Sequence, residues 1–240
     1  MSRNFKLQKY IHEENLILWK KRTITINDGV TVLVGCNGIG KTSLLHCIKN
    51  QLKKENIPCI LFDNLHDGGH NAMSEAAFND DFGLVASFAC SSEGESIVIN
   101  IGILASKLRK FIETGDNSDK INKLAMAFAE YRGDKKEEKE ESNERWILLD
   151  AIDSGLSIDN IVDIKEYLFK TIIENNFGKE IYILVVANEY EMARGENCFD
   201  VRNGKYIKFK DYENYRNFVL KSKEWKEERD DAFASAKNEE

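Results

Sequence analysis

The residues Gly35-Cys36-Asn37-Gly38-Ile39-Gly40-Lys41-Thr42 fit the pattern G-x-x-x-x-G-K-[ST]. Glycines at these places let backbone N–H groups curl around phosphates without a Cβ in the way. A helix opening at Lys41 adds the partial positive charge of its N-terminus. Lys41 would reach the β- and γ-phosphates, and Thr42 would hold Mg²⁺, with Ser43 beside it. A second signal is Ile147-Leu148-Leu149-Asp150, an apolar run ending in an acid. An acid so placed suits a second contact to the same ion. A third is Ser91-Ser92-Glu93-Gly94-Glu95 at the start of a predicted helix. Ser92 and Glu95 would equally make a capping box, which needs no ligand at all.

These residues need a frame to bring them together. Val30-Thr31-Val32-Leu33-Val34 reads as a strand covered on both faces, directly before the glycine-rich loop. Leu44, Leu45, Cys47, Ile48 and Leu52 then recur at helical spacing over 41–54. Further strands are predicted over 57–62, 146–150 and 181–187, and helices over 92–112, 119–131 and 158–176. Ahead of them, Phe5 to Tyr10 and Thr23 to Ile26 alternate as antiparallel strands do, and Asn27-Asp28-Gly29 is a turn signal. Asn203-Gly204 suggests a short hairpin, and 211–240 a polar helical tail with a frayed end. Strand–helix alternation from 30 to 190 predicts an α/β fold with a mostly parallel central sheet. Its ligand loops lie at the carboxyl ends of the strands.

Composition limits the possible functions. With 240 residues, one domain over 1–240 is expected. Lys+Arg number 34 and Asp+Glu 41, a net charge of −7, which argues against coating nucleic acid by charge alone. No apolar run is long enough to cross a membrane, and the first residues lack the apolar stretch of a signal peptide. The five cysteines are scattered without a CxxC pair, as reduced thiols in a cytoplasmic compartment would be. Residues 132–145 are strongly charged and contain no aliphatic side chain. They read as a solvated loop that proteases should cut first.

As a set, the three motifs resemble the ATP-binding cassette family, in its non-transporter branch of RecF-, SMC- and OLD-type heads. The internal Asn37-Gly38 is similar to that branch's phosphate loop, and Ser92-Glu93-Gly94-Glu95 resembles the family signature S-x-G-[QE]. Asp150-Ala151-Ile152-Asp153-Ser154-Gly155-Leu156 resembles the Walker B and D-loop run. The resemblance implies a P-loop NTPase with N-terminal antiparallel strands and a small helical lid. It also implies Mg·ATP bound by Gly35, Asn37, Gly38, Ile39, Gly40, Lys41, Thr42 and Ser43, with metal contacts from Thr42 and Asp150. In such an ATP-dependent homodimer, one subunit's Ser92, Gly94 and Glu95 would contact the nucleotide held by the other. A clamp or switch in DNA metabolism or defence, with a second protein or DNA as a further partner, is the implied role.

Two departures from the family pattern bear on catalysis. The glutamate that follows the Walker B acid is replaced by Ala151, and the switch histidine by Asn188. Neither methyl nor amide takes a proton from attacking water. Hydrolysis should therefore be slow, with Lys41, Asp150 and Asp153 as catalytic candidates and Glu189 as another substitute base. The alternative is a non-hydrolysing ATP-binding module. A kinase or GTPase fits less well, because no NKxD motif is present. Asp63 would stand in for the family's Q-loop glutamine. Tyr10 reads as a sheet-face or core residue rather than an adenine platform, and His66-Asp67-Gly68-Gly69-His70 as a polar loop rather than a metal site. Lys221 to Arg229, with Trp225, reads as a solvated helix rather than a partner or DNA contact.

Overall fold

The computed structural model describes residues 1–7, 18–63, 93–116 and 142–237. Strand β1 (Ser2–Lys6) pairs antiparallel with β2 (Thr23–Asn27), and these two form a small sheet of their own. Ile24 and Ile26 are buried while Thr23 and Thr25 face out, the two-residue period of a half-covered sheet. The Asn27-Asp28-Gly29 turn does not close a hairpin. It carries the chain from this sheet into β3 (Gly29–Val34), which pairs with other strands. Gly29 has φ 82°, a conformation that glycine adopts without strain.

After β3 come helix α1 (Lys41–Lys54), β4 (Cys59–Asp63), α2 (Glu93–Thr114) and β5 (Glu144–Asp150). Helix α3 (Ile158–Asp163) runs through a π-helical stretch (Ile164–Phe169) into α4 (Lys170–Glu174). Then follow β6 (Glu180–Val186), α5 (Tyr190–Ala193), β7 (Asn197–Asp200), β8 (Lys205–Ile207) and α6 (Tyr212–Lys237). The main sheet has the order β4-β5-β6-β3-β7-β8. Its first five strands are parallel, and β8 turns back antiparallel on β7 through Asn203-Gly204, as the sequence predicts.

The continuous apolar runs feed two cores at once. Trp146 and Leu148 of β5 point to one face with Tyr182 and Leu184 of β6. Ile147 and Leu149 point to the other with Ile183 and Val185. On the first face, Leu44, Leu45, Ile48 and Leu52 of α1 are all 0% exposed. Each such burial is worth about 1.5–3 kcal/mol. Trp146 stacks on Tyr182 at 4.1 Å between centroids, and Phe5 meets Trp146 edge-on at 5.1 Å, which fastens the small sheet to the large one. On the second face, Leu104, Leu108 and Phe111 of α2 pack with Ile161, Ile164 and Phe169.

The charged stretch 132–145 is shorter than its composition suggests. Glu144 and Arg145 begin β5, and Arg145 is 0% exposed. Its guanidinium donates to the carbonyls of Ile112 (3.0 Å) and Ser142 (2.7 Å), so a cation serves here as an internal tie between α2 and β5. Gly115, at φ 68°, leaves room for it: a Cβ there would lie 3.3 Å from the guanidinium carbon. Residues 132–141 fall outside the described residues, as do Tyr10, His66, His70, Ser92 and the helix predicted over 119–131. No described helix is long and apolar enough to cross a membrane.

Candidate functional site

Strand β3 delivers the chain to the carboxyl edge of the sheet, and the glycine-rich loop turns it into α1. Gly35 (φ 140°) and Gly40 (φ 110°) hold the loop's shape. A Cβ on Gly35 would sit 2.9 Å from Ile39 Cγ2, so another residue there would disturb the loop. No side chain caps α1 and its first turn has no acid, so no side chain of that turn offsets the positive end of the helix.

Lys41 lies back over the loop. It is 7% exposed, and its Nζ donates to the carbonyls of Gly35 (2.8 Å) and Cys36 (3.2 Å). Burial lowers its pKa, against the opposing influence of Cys36, Asp153 and Asp150. Asp150, at the end of β5, is 7% exposed, and the Thr42 side chain lies close enough to lower its pKa. The register of β4 on β5 sets Asp63 directly opposite Asp150. Burial raises the Asp150 pKa, as does the charge of Asp63, while Thr42, His46 and Lys41 pull it down.

Lys41, Thr42, Asp63 and Asp150 thus meet at one corner of the sheet. An uncapped helix N-terminus and a desolvated ammonium suit a polyphosphate. A hydroxyl beside two close carboxylates suits a hard divalent cation, which would relieve their repulsion. The repulsion between buried Asp150 and half-buried Asp63 is the observation by which these residues fit such an ion. Asn37 is exposed, Ile39 is buried and Ser43 is half-buried along the same loop and turn.

Asp153 stands behind this corner at 1% exposure. Its Oδ2 accepts the backbone N–H groups of Asn188 (2.7 Å) and Glu189 (2.8 Å). Its Oδ1 is buried with no hydrogen-bond partner among the described residues. Burial raises its pKa, countered by those amides and by Lys41. Asp153 therefore ties the turn after β6 with one oxygen. Tyr215 of α6 pins the same turn by donating its hydroxyl to the Asn188 carbonyl at 3.1 Å. Ala151 occupies the left-handed region (φ 53°), and its carbonyl accepts the Ser154 N–H at 3.0 Å. Helix α2 begins at Glu93, immediately after Ser92, and contains Gly94 and Glu95.

Reading 221–229 as a solvated helix misses what α6 does. Ser222 is 2% exposed and accepts the Cys36 N–H at 2.7 Å, while its own hydroxyl donates to Val219 O. Arg229 Nη2 donates to Gly38 O at 3.3 Å, and a Cβ on Gly38 would meet Lys226 Cε at 2.6 Å. Helix α6 therefore lies along the glycine-rich loop. The signal was present as spacing: Ser222, Trp225, Lys226 and Arg229 recur at i, i+3, i+4 and i+7, the period of one buried helix face.

Comparison with known protein-family models gives no match to this chain, and comparison with curated proteins gives none either.

Asp150 supplies a test of the cation corner. Its folded pKa lies above the ordinary 3.8, so it adds to stability below that value and loses that contribution as pH rises through the folded pKa. In metal-free buffer, Asp150→Asn should therefore melt higher than wild type at about pH 7. The gap should close as pH falls towards about 4. Thermal melts across this window check it, and a pH-independent gap would contradict it.

Proposed function

We propose that this chain is a P-loop ATPase of ABC type that binds Mg·ATP and hydrolyses it slowly. The single observation that carries the reading is the meeting of Lys41, on a glycine-rich strand–loop–helix turn, with Thr42 and the buried Asp150 that ends β5. The loop's N–H groups and Lys41 hold the phosphates. Thr42 and Asp150 hold the Mg²⁺, with Asp63 alongside. A bound Mg²⁺ neutralises charge on the phosphates and helps orient them. Slow turnover follows from Ala151 and Asn188, which put no proton acceptor where the family carries one.

ATP then joins two copies through the segment Ser92, Gly94 and Glu95, forming a clamp or switch in DNA metabolism or defence. The closed assembly is isologous, with two equivalent sites. A second reading, an ATP-binding module without turnover, draws on the same Ala151, whose side chain ends at a methyl group.

Calorimetric titration with ATP, with and without Mg²⁺, tests binding. Light scattering tests assembly: wild type should double its mass with Mg·ATP, and Ser92→Arg should bind ATP yet stay monomeric. Absence of ATP binding would end the proposal. Binding without phosphate release would favour the second reading. A wild type that stays monomeric at saturating ATP would remove the homodimer.

A further inference from the structure

A peptide unit is one rigid plane, with a C=O at one edge and an N–H at the other. The unit that joins Gly35 to Cys36 is held at both edges. Its carbonyl, Gly35 O, accepts from Lys41 Nζ at 2.8 Å, and its N–H, that of Cys36, donates to Ser222 Oγ at 2.7 Å. Ser222 comes from α6, 186 residues further along the chain. It is 2% exposed, and Cys36 and Lys41 are also buried, so these bonds are made away from bulk water.

The Ser222 hydroxyl has its direction fixed. Its single proton goes to Val219 O at 2.7 Å, one turn back on α6, which leaves its lone pairs for the Cys36 N–H. Hydrogen bonds therefore run head to tail from Lys41 through the 35–36 peptide and Ser222 to Val219. In such a chain each bond polarises the next. Helix α6 is itself fastened one heptad to either side. Tyr215 donates to Asn188 O at 3.1 Å, and Arg229 to Gly38 O at 3.3 Å. Positions 215, 222 and 229 share one helix face. Gly35, at φ 140°, has no side chain to hinder rotation of the plane, so its two hydrogen bonds restrain it.

We propose that Ser222 is a positioning residue for nucleotide binding: through the 35–36 peptide it holds Lys41 where a phosphate meets it. This rests on the reading of Lys41 as a phosphate ligand. The ammonium has three N–H groups. Two go to Gly35 O and Cys36 O, and a phosphate takes the third. Loss of the Ser222 hydroxyl leaves the Cys36 N–H buried without its acceptor and frees the plane to turn. The Gly35 carbonyl then swings away from Nζ. Lys41 enters the complex from a wider spread of positions, and narrowing that spread weakens binding.

A double-mutant cycle on the full chain separates this role from general support of the fold. Calorimetric titration with Mg·ATP reads wild type, Ser222→Ala, Lys41→Ala and the pair, with circular dichroism confirming each fold. Ser222→Ala should weaken binding about 3- to 10-fold, the worth of one neutral hydrogen bond. With Lys41 already replaced, the same change should cost less than about 2-fold, because no ammonium remains to be positioned. If Ser222→Ala does not fold, Ser222→Cys takes its place in the cycle, since a thiol is a much weaker acceptor. Factors that multiply in the pair overturn the proposal, because Ser222 would then support the loop without acting through Lys41. Unchanged or tighter binding in the folded Ser222 variant overturns it too. No binding of Mg·ATP by wild type is a different failure, which removes the nucleotide reading and this inference with it.

Discussion

Lys41→Ala should weaken ATP binding about 10- to 150-fold. A hydrogen bond to a charged group is worth about 1.5–3 kcal/mol, and about 1.4 kcal/mol is a factor of ten. The free protein already bears part of the cost of this arrangement. The ammonium is buried, its pKa is lowered by that burial, and its hydrogen bonds go to two loop carbonyls. An incoming phosphate would give the charge the partner that burial denies it. Two consequences of the substitution then separate. Losing the desolvated charge stabilises the free protein, whereas leaving the Gly35 and Cys36 carbonyls without their donor destabilises it. These terms oppose, so the melting temperature should move little while affinity falls. Calorimetry and a melt on the same sample read both. Unchanged affinity would mean that the loop does not hold the phosphates, and collapse of the fold would mean that Lys41 is chiefly a structural tie.

The strands were readable because two-faced burial writes itself as continuous apolar sequence. β3, β5 and β6 each alternate between two cores, so nearly every residue is apolar. The loop was readable because its conformation demands glycine at positions such as Gly35 and Gly40. Pairing partners were less so. Asn27-Asp28-Gly29 announces a turn, but whether β2 joins β1 or β3 is decided by distant contacts such as Phe5 on Trp146. Arg145 was concealed by averaging, since one buried cation at the edge of a charged run looks like its neighbours. Trp19, Arg202 and Arg229 line one cavity only because three segments far apart in sequence fold onto one loop. No local pattern encodes such a meeting. The face of α6 that touches the loop carried a helical period, but with Ser222 and charged residues in place of aliphatic ones.

Ala151→Glu should raise ATP turnover by about 10²-fold or more, since a positioned general base contributes about 10²–10⁴-fold. The residue directly follows Asp150, so a carboxylate there would flank the Thr42–Asp150 corner. The backbone permits the change. Ala151 already adopts the left-handed conformation (φ 53°), which costs any non-glycine residue about 1–2 kcal/mol, so glutamate adds little strain that alanine lacks. The side chain is only half-buried, which leaves the longer carboxylate a route to water. The turn itself rests on the backbone bond from Ser154 N–H to Ala151 O, which the substitution keeps. Phosphate release at saturating Mg·ATP measures the effect, with Lys41→Ala as the control that removes any contaminating ATPase. Wild-type turnover on the order of 10 s⁻¹ would show that a base is already in place. An unchanged rate in a folded, ATP-binding Ala151→Glu variant would move attention to Asp153, whose buried Oδ1 has no hydrogen-bond partner among the described residues and whose pKa the Lys41 charge pulls down.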